Sequence, residues 1–312
     1  MNKNKKHWQN YWDSGALTSL PQDFKANYDG EIYDFWYKHV LTFKENSTVV
    51  DICTGNGAIA LMIKNIANVL NKNITVIGID AAKINPVNVA EIQHQFKELV
   101  NNVKFYGNTL IEEIDTVITS KVDYVVSQYG IEYCKVNKVA LKINKILKKN
   151  GKLIFISHSP DSDIYKYMKS EQSDFKKIKE LGIFKLFNKF VENKEKPLNF
   201  KFKLENKLDE IEKVFGNKLN SFVYEWVQII QMLIRMPKHT LLANKKQIKE
   251  FSLMHIYGRK RADDLIAVSK KIIKNPKWYK KFSKNGLKLI ATDELLYKDH
   301  HKIGNYFEFK KK

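Results

Sequence analysis

Between residues 48 and 158, short apolar runs alternate with amphipathic stretches, and the alternation lays out a fold. Thr48–Cys53 reads as a first strand and Ala58–Leu70 as the helix that follows it. Ile74–Asp80 is a second strand. Asn85 is an N-cap with Pro86 at the first helical position, and Val89, Ile92, Phe96, Leu99 and Val100 recur at helical spacing behind them. Val103–Tyr106 and Val122–Gln128 are the third and fourth strands. A helix over Lys138–Leu147 stops at Lys148-Lys149-Asn150-Gly151, and Lys152–His158 is the fifth strand. Strands that are apolar throughout and separated by helices belong to a parallel sheet covered on both faces.

The chemistry sits where the first strand ends. Val49-Val50-Asp51-Ile52-Cys53-Thr54-Gly55-Asn56-Gly57 runs from an apolar strand through a carboxylate into a two-glycine turn, just ahead of a helix. Gly55 and Gly57 let the backbone turn sharply and approach a bound molecule, and the helix N-terminus behind them offers N–H donors. Gly55-Asn56-Gly57-Ala58-Ile59-Ala60 also fits the dinucleotide pattern, with Asp80 downstream as its acid, so an NAD-dependent oxidoreductase is an alternative. Asp51 decides between them, because a carboxylate there suits an ammonium and repels a pyrophosphate. S-adenosylmethionine carries such an ammonium.

The order of these parts resembles the class I S-adenosylmethionine-dependent methyltransferases over about 110 residues and again at the C-terminus. Val50–Gly57 stands where that family has its acid and glycine-rich loop, and Asp80 where its acid holds the ribose hydroxyls. Gly107-Asn108-Thr109 matches the polar turn that touches adenine, Asp123–Gly130 the fourth-strand motif, and Leu147–Leu153 the approach to strand five. The resemblance implies a Rossmann-like, doubly wound α/β sheet of seven strands, the last antiparallel. It also implies cofactor contacts from Asp51, Cys53, Thr54, Gly55, Asn56, Gly57, Asp80, Ala81, Asn108, Thr109, Ser127 and Gln128. Two positions depart from the family: Cys53 replaces the first glycine of the loop and restricts φ, and Asn108 replaces the commoner aspartate. Ser127-Gln128-Tyr129-Gly130 lacks the paired prolines of methyltransferases that act on amino groups of bases, which argues against base methylation.

Past His158 the pattern becomes lysine-rich and helical, with amphipathic runs such as Phe222–Ile234, for a stretch too long to be a loop. Leu287–Thr292 and Asn305–Phe309 then read as a strand pair. The chain divides accordingly into an N-terminal helical lid over 1–47, a cofactor domain over 48–160 and 286–312, and a helical cap over 161–285 inserted between strands five and six. The leading segment, with Trp8, Tyr11, Trp12, Phe24 and Tyr28, is aromatic enough to close over a cofactor, and Asp29 is expected to N-cap a helix running to Phe43.

Composition narrows the partners. A net charge of +20 suggests nucleic acid, yet Arg235, Arg259 and Arg261 are the only arginines among 54 basic residues, and dispersed lysines usually form a solvated surface. The excess falls mainly on residues 161–312, which keeps an RNA or protein methyltransferase docking through a basic cap as an alternative. The first residues lack the apolar core of a signal peptide and no run is long enough to span a membrane, so a cytoplasmic protein is expected. Cys53 and Cys134 are the only cysteines, too few for a disulfide framework or a cysteine-rich metal site, and they are expected to be free thiols. Neither do His300 and His301, in the expected hairpin turn, suggest a metal.

The reading is therefore a methyltransferase acting on a small molecule, with a non-catalytic S-adenosylmethionine-binding protein as a further alternative. Methyl transfer needs a nucleophile held in line more than it needs a triad. If a hydroxyl is the acceptor, His158 at the carboxyl end of strand five is the candidate base, and Glu132 and Tyr133 just beyond strand four are further candidates.

Overall fold

The computed structural model describes residues 6–19, 24, 26–92, 94–216, 219–298 and 300–312, without the side chains of 90–92. Ile92 as an apolar anchor and Asp299 therefore lie outside what is described. Helices α1 (Lys6–Asp13) and α2 (Gly30–Thr42) precede the alternating region β1 (Thr48–Ile52), α3 (Ala58–Val69), β2 (Thr75–Ile79), α4 (Pro86–Ile92), α5 (Lys97–Asn101), β3 (Val103–Tyr106), β4 (Val122–Gln128), α6 (Val136–Ile146) and β5 (Leu147–Ser157). Helices α7 (Asp163–Glu180), α8 (Ile183–Val191), α9 (Pro197–Phe215), α10 (Ser221–Arg235), α11 (Lys238–Ala243), α12 (Lys245–Lys274) and α13 (Lys280–Lys284) follow. The chain closes with β6 (Leu287–Tyr297) and β7 (His301–Lys311).

The seven strands form one sheet in the order β3-β2-β1-β4-β5-β7-β6. The first five are parallel, and β7 runs antiparallel to both β5 and β6. This is the doubly wound order expected from the sequence. Alternate residues feed opposite faces, as the two-residue strand period requires. Val49, Val76, Tyr124, Val126, Ile154 and Ile156 pack with α2 and α3, whereas Val50, Ile52, Val125, Leu153 and Phe155 pack with α6 and with Trp278 and Phe282. The strand order reverses between β1 and β4, and the carboxyl ends of the strands there form the crevice in which open α/β sheets place their ligands.

Two differences from the sequence reading concern the ends of the chain. Ile32, Trp36 and Val40 of α2 are fully buried against the sheet, so α2 belongs to the core, whereas Trp12 of α1 and Ala16 just after it meet the glycine turn. Asp29 precedes α2 but makes no capping bond; its carboxylate accepts from the Tyr297 hydroxyl at 2.7 Å and so ties the helix start to β6. Asn85, by contrast, does cap, accepting from the Asn88 N–H at 3.3 Å.

The chain separates into two compact units, one of residues 1–165 and 267–312 and one of residues 166–266. The second is all-helical, with Phe187, Phe190, Phe200 and Trp226 at the centre of its own core. Residues 267–285, assigned from sequence to the helical insertion, belong to the sheet unit because Ile272, Trp278, Tyr279 and Phe282 pack beneath it. No helix among the described residues is long and apolar enough to cross a membrane.

Candidate active site

The turn after β1 is built from left-handed residues. Gly55 has φ 56° and Gly57 φ 96°, and Cys53, where glycine would be cheaper, takes φ 58° nonetheless. The indole of Trp12 lies directly on Gly55: a Cβ there would sit 2.6 Å from the ring. Polar side chains of the turn and of the leading segment fix this arrangement. Asn56 donates to the carbonyls of Trp12 at 2.9 Å and Ala16 at 2.8 Å and accepts from the Asn85 N–H at 3.1 Å. Gln9 makes a two-bond clasp with the backbone of Lys83, at 2.8 and 2.7 Å.

Both predicted acids stand at strand ends. Asp80 accepts from the N–H groups of Gly55 at 2.9 Å and Ala82 at 2.7 Å, which ties the glycine turn to the end of β2. Asp51 is almost fully buried and accepts from the Thr54 hydroxyl and the Ala60 N–H at the start of α3. Burial first, and the charge of Asp80 to a smaller degree, push its carboxyl up to about 7 against the pull of those two bonds. A cationic amino group beside it would favour the ionised form. Asn108 takes a left-handed conformation and its N–H, with that of Thr109, is bonded to the carbonyls of Ala82 and Asp80, holding the turn after β3 next to the acid.

Other predicted cofactor residues are spent on architecture. The Ser127 hydroxyl donates to the Ile52 carbonyl at 2.9 Å, and the Gln128 side-chain oxygen accepts from the Trp36 indole at 2.8 Å. Asn56, as above, turns toward the leading segment. The Gln128 side-chain nitrogen is buried without a partner. Ala81 makes only backbone available at its position.

At the ends of β4 and β5 the three candidates for acid–base chemistry come together. Glu132, in the 3₁₀ turn Ile131–Tyr133, accepts from the backbone N–H of His158 at 2.8 Å through one carboxylate oxygen, and its other oxygen is buried without a partner. His158 Nδ1 is likewise buried and unpartnered. The imidazole stacks on Tyr129 with ring centroids 4.5 Å apart and meets Tyr133 edge-on at 6.0 Å. Tyr133 in turn meets Trp8 at 6.2 Å, and Trp8 stacks on Trp12 at the same distance. A continuous aromatic wall thus runs from the glycine turn to His158. Desolvation sets the charges: it pushes Glu132 up to about 7 and holds His158 down to about 3, so the imidazole is neutral at physiological pH. Glu132 Oε2, His158 Nδ1 and, at the end of β4, Gln128 Nε2 are thus three polar atoms of this region buried without partners. Among the described residues no group of His, Cys, Asp and Glu is arranged to hold a metal ion, and His301 instead pairs with Asp163 at 3.1 Å.

A parallel sheet with a left-handed glycine turn at its switch point and an acid on the next strand defines a nucleotide-cofactor enzyme of the Rossmann-like class. The model of the methyltransferase domain family matches residues 43–216, more than half of the chain, and the protein belongs to that family, with S-adenosylmethionine as methyl donor. No curated protein is detectably similar in sequence. Among solved structures the chain is similar to the N-methyltransferase NodS from Bradyrhizobium japonicum WM9 in complex with S-adenosylhomocysteine, with 8% identity over 98% of both chains and a TM-score of 0.44. It is also similar to phosphoethanolamine N-methyltransferase 1 of Haemonchus contortus, at 16% identity over 51% of this chain and 32% of that one, with a TM-score of 0.37. The methyltransferase domain of the citrinin polyketide synthase gives 14% identity over 41% of this chain and a TM-score of 0.34, and the chain spans 34% of its length.

Proposed function

We propose that this protein methylates a small-molecule acceptor enclosed between the ends of β4 and β5 and the aromatic wall of the leading segment. The observation that carries this reading is the pair of buried, unpartnered polar atoms, Glu132 Oε2 and His158 Nδ1, with the imidazole packed against Tyr129 and Tyr133. A polymer substrate calls for an open face, whereas enclosed polar atoms suit the donor groups of a compact molecule.

Asp80 is assigned to the ribose hydroxyls, Asp51 to the cationic amino group, and the turn Asn108-Thr109 to the base. S-adenosylmethionine supplies the methyl carbon and a sulfonium leaving group, so the protein's part is alignment and removal of one proton. Glu132 takes that proton. Its carboxyl near 7 is matched to neutral pH, whereas an imidazole held near 3 is a weak base there. His158, the candidate base by its sequence position, serves as a neutral hydrogen-bond acceptor that orients the nucleophile. Tyr133 forms part of the wall.

Calorimetry with S-adenosylhomocysteine tests the cofactor assignment. The protein is expected to bind it and to ignore NAD, and Asp80→Ala should weaken binding about ten- to a hundredfold, since losing one partner of a charge-assisted bond costs about 1.5–3 kcal/mol. Unchanged affinity in that variant, or binding of NAD, would overturn it. RNA offered to the protein at about 0.2 M salt should not be retained on a filter, because contacts from scattered lysines weaken steeply with salt. Specific retention would favour the polymer acceptor instead.

A further inference from the structure

The two cysteines of the chain, 81 residues apart, meet at the cofactor turn. Cys53 Sγ and Cys134 Sγ are 3.7 Å apart, and both residues are partly exposed. Cys53 belongs to the turn after β1, and Cys134 closes the 3₁₀ turn that carries Glu132, so the pair bridges the cofactor side of the site to its acid–base side. The local backbone is shaped around this contact. Cys53 holds φ 58°, a conformation that costs any residue but glycine, and Gly130 is the residue that clears space for it: a Cβ on Gly130 would lie 2.3 Å from that of Cys53. Glycine thus stands opposite the turn and cysteine within it, and the outcome is a sulfur placed against a second sulfur.

We propose that Cys53 and Cys134 form a reversible disulfide whose closure lowers affinity for the cofactor, an inference that rests on the cofactor reading above. The oxidant is a low-mass disulfide such as oxidised glutathione. Cys134, as thiolate, attacks one sulfur of the oxidant, forming a mixed disulfide and releasing one thiolate. Cys53 then loses its proton and attacks the Cys134 sulfur, releasing the second thiolate. Two protein thiols are oxidised by two electrons and one disulfide is reduced to two thiols, so the exchange balances. The order of attack follows from the surroundings of Cys53, whose hydrogen bond with Cys134 and burial keep its thiol well above the ordinary range and make it the poorer first nucleophile.

Closure has a geometric consequence. A disulfide needs its sulfurs about 2.0 Å apart, so the pair must draw together by roughly 1.7 Å. Cys53 is packed closely against the backbone of Gly130, so part of the movement falls on the backbone of residues 53–57, the segment assigned to the cofactor. Coupling of this kind is reciprocal: if the disulfide weakens binding by some factor, bound cofactor must resist oxidation by the same factor.

The experiment incubates the reduced full-length protein with glutathione buffers of graded oxidised-to-reduced ratio. Intact-mass and peptide mass spectrometry then report the product, and calorimetry reports affinity for S-adenosylhomocysteine. The expected product is a Cys53–Cys134 link with the loss of two hydrogens, reversed by dithiothreitol, and affinity lower by about tenfold or more. Saturating S-adenosylhomocysteine should shift the midpoint toward more oxidising buffers. Cys134→Ser and Cys134→Ala, each checked for native circular dichroism, should bind as the reduced protein does and be indifferent to the buffer. A stable glutathione adduct without the link, no reaction, or a link that leaves affinity unchanged would each overturn the proposal. Failure of the reduced protein to bind S-adenosylhomocysteine would instead sink the cofactor reading, so the two failures are told apart.

Discussion

Glu132→Gln is expected to lower turnover by about 10²–10⁴ while leaving affinity for S-adenosylhomocysteine within about twofold. Turnover is followed as S-adenosylhomocysteine formed from S-adenosylmethionine in the presence of a low-mass metabolite fraction. Glutamine keeps an oxygen for the His158 N–H but cannot accept a proton, so geometry survives and chemistry does not. The unsubstituted protein should gain rate as pH rises through about 7, where burial places the Glu132 carboxyl, and the variant should lose that limb.

Stability gives a second reading of the same group that needs no acceptor. Glu132 has its folded-state value raised from 4.5 to about 7, so its contribution is fully present below about 4.5 and is lost as pH rises through about 7. Above pH 7 the buried charge costs up to about 3 kcal/mol, and Glu132→Gln should be the more stable protein there by as much as that. A flat difference between the two proteins from pH 4 to 8 would remove Glu132 from the role of buried proton acceptor.

The sheet was legible because its signals are local. Apolar runs bounded by turns locate β3 and β4 to the residue, and β1 and β2 to within one at each end. β5 begins five residues earlier than Lys152 because Leu147 already pairs with Val122 ahead of an irregular stretch, and a run of Lys-Lys-Asn-Gly carries no apolar signal for such pairing. The strand pair β6 and β7 is longer than the two apolar runs that announce it: Asp293–Tyr297 and His301–Gly304, in which charged and apolar residues are mixed, continue the ladder. Side-chain roles were less legible. Asn56, Ser127 and Gln128 lie in motif positions, and the structure adds bonds of Asn56 to Trp12, Ala16 and Asn85, of Ser127 to Ile52, and of the Gln128 oxygen to Trp36, partners 29 to 92 residues away along the chain. The proposed choice of Glu132 over His158 for the proton rests on burial, which composition does not report. The contact of Cys53 with Cys134 depends on two turns meeting at Gly130. Only the departure at Cys53 hinted at it, a residue where glycine would be cheaper.

Trp36→Ala should destabilise the protein by about 3–5 kcal/mol, the range for deleting a large aromatic side chain from a packed core. Trp36 is fully buried on the face of α2 that lies on the sheet, beside Ile32 and Val40. Its indole N–H also supplies the 2.8 Å bond to Gln128, so alanine both opens a cavity and strands a buried carbonyl oxygen at the end of β4. Trp36→Phe separates the two effects: it keeps much of the bulk, loses the donor, and should cost about 1–3 kcal/mol. In urea titrations both variants should lower the midpoint with an unchanged slope, since the same surface is exposed on unfolding. If α2 were a lid that opens over the cofactor, the alanine variant would unfold near the midpoint of the unsubstituted protein and lose cofactor affinity instead. A large fall in midpoint makes α2 a permanent layer of the sheet and leaves α1, with Trp8 and Trp12, as the element that covers the glycine turn.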